Sequence, residues 1–516
     1  MTKSKIPPKA GKLFILVVLL LVSAPVFAQS VDTAWVRRYN GSGDSIDEAF
    51  AIAVDGSGNV YVTGESYGDY ATIKYYPDGD TAWVRRYNGP GNSTDYARAI
   101  AVDGSGNVYV TGNSSGSGTS SDYCTIKYKP NGDTAWVRRY NGPGDTTDGA
   151  RAVAVDGSGN VYVTGGSEGS GTDYDYATIK YYPNGDTAWV RRYNGLGNST
   201  DYAFAIAVDG SGNVYMTGKS CGSGSLYDYD YATIKYYPNG DTAWLRRYNG
   251  PGNFGDEAHA IALDGSGYVY VTGYSLGSGT SYDYATIKYY PNGDTVWVRR
   301  YNAVNGNDGA YAVSVDGSGY VYVTGYSLGG GINNDYATIK YYPNGDTAWV
   351  RRYNGPGNWD DFAYAIAVDG SGNVYVTGES EGSGTNYDYA TIKYYPDGDT
   401  AWVRRYNGPG NSTDYAFAIA VDGSGNVYVT GYSYGSGTNV DYATIKYVQF
   451  LCGDVNKDGV VNVTDVVYLI NYLFIGGPPP IPILQVGDVN QDGVVNVTDV
   501  VYLINHLFIG GPAPCS

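Results

Sequence analysis

Tryptophan falls at positions 35, 83, 136, 189, 244, 297, 349 and 402, each time within TAWVRRY or a close variant of it. A spacing of about 52 residues, held through eight units, constrains this chain more than its composition does. Each unit must bury its apolar face against the next. Every unit runs in the order TAWVRRYN, AIAVD, NVYVTG and DYATIKYY, with small variations. The segments are short, rich in Val, Ile, Thr and Tyr, and bounded by Gly, Asn, Pro and Asp, so each is expected to be a strand. Four strands per unit without helical periodicity predict an all-β, eight-bladed β-propeller of four-stranded blades over residues 31–448. A β-solenoid is the rival architecture, but its turns are usually shorter than these units.

Connection lengths set the blade frame. DGSGN joins AIAVD to NVYVTG, and PNGD or PDGD joins the Tyr-rich strand to TAWVRRYN; both are tight hairpin turns. The stretch from VTG to TIK varies most, from 10 residues (Gly64 to Lys74) to 17 (Gly218 to Lys235). With AIAVD innermost, both tight turns lie on one face of the disc and both longer connections on the other, which is the expected binding face. The chain enters with one TAWVRRYN segment (33–40) and ends its repeats after DYATIKY (441–447), so the first segment is expected to complete the last blade. Through AIAVDGSGNVYVTG and TIKYYPNGDTAW the chain resembles the SBBP family of β-propeller repeats over some 420 residues. That family is associated with seven blades, against eight units counted here.

Near-identical units argue against catalysis, which needs an asymmetric set of groups. No HExxH motif is present. His259 occupies a slot held elsewhere by Phe50, Arg98, Arg151, Phe204, Tyr311, Tyr364 and Phe417, and reads as a packing or rim residue. Asp47, Asp95, Asp148, Asp201, Asp256, Asp308, Asp361 and Asp414 each open an Asp-x-Ala-x-Ala segment at the long-loop end of the innermost strand. They read either as a ring of carboxylates at the channel mouth or as turn carboxylates bonding nearby backbone N–H groups. The Arg pairs of WVRRYN are expected to be solvated or to salt-bridge outer strands.

After the repeats, GDVNKDGVVNVTD (453–465) returns 34 residues later as GDVNQDGVVNVTD. Asp454, Asn456, Asp458, Val460 (through its carbonyl), Asn462 and Asp465 stand at positions one, three, five, seven, nine and twelve of a loop, the oxygen spacing that suits Ca2+. Asp488, Asn490, Asp492, Val494, Asn496 and Asp499 repeat the set, so two ions are expected. Gly459 at position six is expected to permit the sharp turn. Each loop opens a helix, with Val466, Leu469, Ile470, Leu473 and Phe474 on one stripe and Gly476-Gly477 ending it. No helix precedes either loop, which makes them half EF-hands. Residues 452–516 therefore resemble a type I dockerin, a small α calcium module. The resemblance implies calcium ligation by the residues just named and contact with a cohesin domain of a scaffold protein through Val463, Thr464, Val497 and Thr498. Because both copies carry the same pair, it also implies two binding orientations related by a half-turn. Cys452 and Cys515 bracket the module and form a disulfide candidate, worth about 4 kcal/mol in the chain-entropy model.

Residues 1–28 carry Lys3, Lys5, Lys9 and Lys12, an apolar run from Leu13 to Val22 and a Val26-Phe27-Ala28 end, the pattern of a signal peptide cleaved after Ala28. No other stretch is long and apolar enough for a membrane span. A net charge of −18 disfavours nucleic acid. The expectation is a secreted, extracellular, non-catalytic propeller attached to a cohesin-type partner by its dockerin, with a polysaccharide-degrading assembly as the context the resemblance implies. The rivals are a carbohydrate-active hydrolase or lyase on the long-loop face, and a structural spacer.

Overall fold

The computed structural model describes residues 29–516, apart from 197, 223–227, 280, 304–305, 330–332, 459, 482–483, 513 and 516. The signal-peptide reading of 1–28 and the role of Gly459 lie outside the described residues. The chain divides into two compact units, Val31–Gln449 and a second that contains Phe450–Ser516.

The larger unit is a propeller of eight four-stranded antiparallel sheets. In the first complete blade the order is Asp47–Val54, Val60–Ser66, Asp69–Tyr75 and Thr81–Tyr87, from inside outward. The last blade is completed by Gln29–Tyr39, which pairs with Val440–Leu451, so no strand edge is left open within the ring. Eight blades stand where the family count of seven was the alternative.

Packing is between blades, and the repeat residues explain it. Tyr61, Tyr70 and Trp83 of one blade share a buried cluster with Ala97, Val108, Val110 and Ile126 of the next. The buried Tyr70 hydroxyl donates to the Cys124 carbonyl of that next blade at 3.1 Å, and Trp83 Nε1 donates to the Pro130 carbonyl at 3.1 Å. Ring closure uses the same stitches: Tyr442 donates to Ala71 O and Trp35 to Pro77 O, each at 3.1 Å. The outer-strand arginines are tied down rather than solvated. Arg85 Nε donates to the Gly132 carbonyl of the next blade at 2.7 Å, while Arg86 bridges Ser66 and pairs with Asp69 at 3.0 Å.

One glycine per blade is dictated by close approach. The innermost strand bulges at Phe50, between Ala49 and Ala51, and carries its backbone onto Gly64 of VTG. A Cβ there would overlap the carbonyl oxygen of Glu48. All eight innermost strands bulge at this position, and a bulge re-aims the side chain it carries.

In the smaller unit, α1 (Val463–Ile470) and α2 (Val497–Ile509) close over a core of Val455, Val461, Val466, Leu469, Val486, Val489, Val500 and Leu503. Gly476 and Gly510 take left-handed φ values of 78° and 75° just past the two helical segments, as the sequence predicts. Phe474 departs from its predicted place on the buried stripe and is 65% exposed. Its counterpart Phe508 is 66% exposed, so the departure is common to both copies. No helix among the described residues is long and apolar enough to cross a membrane.

Candidate functional site

Both acidic loops are held in the same way, from the loop backbone outward. In the first, Asp458 N donates to Asp454 Oδ1 at 3.0 Å and to Asn456 Oδ1 at 2.9 Å. In the second, Asp492 N donates to Asp488 Oδ1 at 3.0 Å and to Asn490 Oδ1 at 2.9 Å. Asp465 is fully buried, with Oδ1 accepting from Asn456 N at 3.3 Å and Oδ2 from Asn462 N at 2.8 Å; Asp499 does the same in its loop. Burial raises the Asp465 pKa above the usual carboxylate value, and the charges of Asp454 and Asp458 add to the rise. One oxygen from each of Asp454, Asp458 and Asp465 lies within 4.8 Å of the others. Three carboxylates gathered at one point, Asp454 and Asp465 buried and Asp458 exposed, fit a hard divalent cation.

Val460 and Val494 have their carbonyls bonded by Asn462 Nδ2 at 3.2 Å and Asn496 Nδ2 at 3.1 Å. Asn462 and Asn496 themselves depart from a plain ligand role. Each caps its helix, accepting from Thr464 N at 2.7 Å and Thr498 N at 2.8 Å, in a capping box with Asp465 or Asp499. The two threonines, expected to meet a partner, are turned toward the loops: Asn456 Nδ2 donates to Thr464 Oγ1 and Asn490 Nδ2 to Thr498 Oγ1, both at 2.9 Å. Val463 and Val497 do face outward, 52% and 51% exposed, and the sequence reading missed their neighbours one turn on, Val467 and Val501, at 52% and 51%. The signal was available as an i, i+4 repeat of valine in both copies. Cys452 and Cys515 are joined as a disulfide, with Cα atoms 6.1 Å apart across 63 residues.

In the propeller the eight aspartates do not form an exposed ring. Asp47, Asp95, Asp148, Asp201, Asp256, Asp308, Asp361 and Asp414 are all at most 1% exposed. Their carboxylates pin the connection that leads into the innermost strand: Asp95 accepts from Gly89 N at 2.6 Å and Ser115 N at 2.9 Å, and Asp414 from Gly408 N at 2.7 Å and Tyr434 N at 3.1 Å. Burial raises their pKa values, to about 6 for Asp256 and Asp361. His259 stacks on Phe204 at 5.4 Å and meets Tyr274 and Tyr311, and burial lowers its pKa to about 4. On other blades, Glu65 and Glu379 are raised to about 7, mainly by burial, with Glu48 adding to the first and Asp361 and Asp360 to the second. On the tight-turn face, neighbouring DGSG turns leave clefts, one of about 430 Å³ lined by Asp55, Ser57, Lys74 and Pro130. Clefts of the same lining recur between other blades, and Lys74 is spent on the Pro130 carbonyl.

A ring of four-stranded blades, in a chain that also holds a duplicated acidic loop-helix module, defines a β-propeller protein with a calcium-type module. The chain belongs to the SBBP beta-propeller repeat family, whose model matches residues 34–71, 82–118, 135–171, 188–224, 244–279, 348–384 and 401–437. The unmatched eighth unit is the one around Trp297, where AVSVD replaces AIAVD. The dockerin type I domain matches residues 452–508. No curated protein matches the chain. Among solved structures, a Lactobacillus plantarum protein is 13% identical, covering 59% of this chain and 84% of its own, with a TM-score of 0.40. A Xanthomonas campestris gluconolactonase is 10% identical, covering 81% and 90%, with a TM-score of 0.32. A Dyadobacter fermentans protein of unknown function is 10% identical, covering 81% and 98%, with a TM-score of 0.36.

Proposed function

We propose that this is a secreted, non-catalytic propeller that binds polysaccharide and is fixed to a cohesin-type domain of a scaffold protein by a dockerin loaded with two Ca2+ ions. The observation that carries the reading is duplication at the surface. Val463 and Val467 on α1, and Val497 and Val501 on α2, present the same half-exposed apolar row twice, extended by Phe474-Ile475 and Phe508-Ile509 at 65–75% exposure. Exposed apolar patches of this kind mark interaction surfaces, and two copies suit docking in either of two orientations. In each loop the twelfth-position aspartate ties the ion site to its helix: Asp465 and Asp499 are loop carboxylates and capping-box members at once. Calcium therefore holds the apolar row in position.

Surface plasmon resonance of the full chain over immobilised type I cohesins tests this. Binding is expected in calcium, and is expected to be lost in EDTA and in the Val463→Asp, Val497→Asp double variant. Equal binding in EDTA would remove the proposal. A hydrolase or lyase is the second reading, favoured by Glu65 and Glu379, both raised to about 7, where a general acid works. Reducing-sugar release that disappears in Glu379→Gln would favour it.

A further inference from the structure

Eighteen arginines occur in the chain, and sixteen belong to the repeated outer strands. The other two, Arg98 and Arg151, occupy the same bulged slot of neighbouring blades. The eight bulge residues form a continuous belt around the channel. Phe50 meets Phe417 at 5.8 Å, Phe417 meets Tyr364 at 5.8 Å, Tyr364 meets Tyr311 at 5.5 Å, Tyr311 meets His259 at 5.6 Å and His259 meets Phe204 at 5.4 Å. Arg98 and Arg151 fill the gap between Phe204 and Phe50. The framework around the belt repeats from blade to blade while the belt does not, so this is where the eightfold scaffold becomes asymmetric.

Neither of these two arginines has an ion pair among the described residues; Arg85, Arg191 and Arg404 share that, but those three donate to backbone carbonyls at 2.6–2.7 Å. The Arg98 guanidinium lies over Phe50 at 4.6 Å and Tyr96 at 4.8 Å, and its Nε is buried with no hydrogen-bond partner. Arg151 is exposed and donates from Nε to the Tyr202 hydroxyl at 3.2 Å. Burial lowers the Arg98 pKa from its ordinary value, and the nearby charge of Arg151 adds to the fall. Glu48 and Glu65, cross-strand neighbours on the preceding blade, are the carboxylates that act on Arg98 through space. Lys219, the other cation of the wall, is already paired with Glu257 at 2.8 Å. On the aromatic side, Glu379 is 5% exposed, accepts from the Tyr364 hydroxyl at 2.7 Å through Oε1, and leaves Oε2 without a partner.

We propose that the long-loop end of the channel binds an acidic saccharide: a sugar face stacks on the arc from Phe204 to Phe417, a uronate carboxylate takes Arg98 and Arg151, and a sugar hydroxyl donates to Glu379. The class follows from the group set. Aromatic faces and a carboxylate oxygen suit the C–H faces and hydroxyls of a pyranose, and a pair of planar guanidinium groups suits one carboxylate. Two arginines in a chain of net charge −18 are too few for a phosphate polymer. The inference rests on the propeller being a polysaccharide-binding body and adds which sugar it selects.

Isothermal titration calorimetry of the full chain at fixed calcium, with β-1,4-glucuronan oligomers against cello-oligomers of equal length, isolates the carboxylate. Glucuronoxylan oligomers with and without their uronate branch repeat the comparison on a second backbone. The acidic member of a pair is expected to bind about tenfold or more tightly. Arg98→Gln with Arg151→Gln should abolish that preference, and Arg151→Gln alone, at an exposed position, should erode it with the fold intact by circular dichroism. If the neutral oligomers bind as tightly, or the preference survives both replacements, the uronate site is wrong while polysaccharide binding stands. If no oligomer of either kind binds, both readings fall.

Discussion

Reducing the Cys452–Cys515 disulfide should cost the calcium-free C-terminal module about half of its stability. The bridge closes 63 residues, and the loop-entropy relation then gives about 4 kcal/mol at 25 °C. A core of nine buried residues around two helices is of the size that supplies only about 3–5 kcal/mol by itself. Each calcium site, at a hundredfold excess over its dissociation constant, returns about 2.7 kcal/mol. Oxidised and calcium-loaded, the module is well folded. Lacking either support it is weakened, and lacking both it keeps no more than the core's own few kcal/mol. The chain separates the two signals by itself, because every tryptophan lies at or before Trp402 while the two α-helices lie after residue 460. Ellipticity at 222 nm therefore follows the module, and tryptophan fluorescence follows the propeller. In EDTA, reduction should lower the ellipticity midpoint by roughly 15 °C or more, at about 4–8 °C per kcal/mol for a unit this small. Cys124 and Cys221 are buried and not in a disulfide, so reductant leaves the propeller alone. A calcium-free midpoint that does not move on reduction, or a tryptophan transition that moves with it, refutes the reasoning.

Deleting residues 29–39 removes the strand that completes the last blade and exposes the Val440–Leu451 edge, so the truncated chain should leave the monomer peak in multi-angle light scattering; a fully monomeric truncation would contradict the closure. The pH dependence of the propeller has a definite sign. Glu379 is raised from 4.5 to about 7, so the folded state keeps its proton longer than the unfolded one does. Its contribution is whole below about 4.5 and is lost as pH rises through about 7. Glu379→Gln keeps an acceptor for Tyr364 and should flatten the decline of the urea midpoint across that window, whereas an unchanged slope would mean the carboxylate is already ionised in the folded state.

How much was legible before the fold was known can be told residue by residue. The repeat count, the strand order within a blade, the closing role of residues 33–40 and the spacing of oxygens from Asp454 to Asp465 were all readable. Each depends on local chemistry: turn residues at fixed offsets, strand-forming residues between them, and one loop's ligand positions. Arg86 and its equivalents were readable only as charged residues, because their Asp and Ser partners lie on other strands of the blade.

By itself, then, the sequence determined that eight like units close on themselves and that two loops carry the same spacing of oxygens, since those features repeat within the reach of a hairpin or a helical turn. Tertiary structure alone decided which side chains face what. It buried Asp47 and its seven equivalents against backbone N–H groups, left Phe474 uncovered, and turned Phe50, Arg98, Arg151, Phe204, His259, Tyr311, Tyr364 and Phe417 into one belt. The reason is geometric. A bulge displaces a side chain by an amount that no alternation of apolar and polar letters records, and neighbours in the belt stand about fifty residues apart in the chain, so only the closed ring brings them into contact.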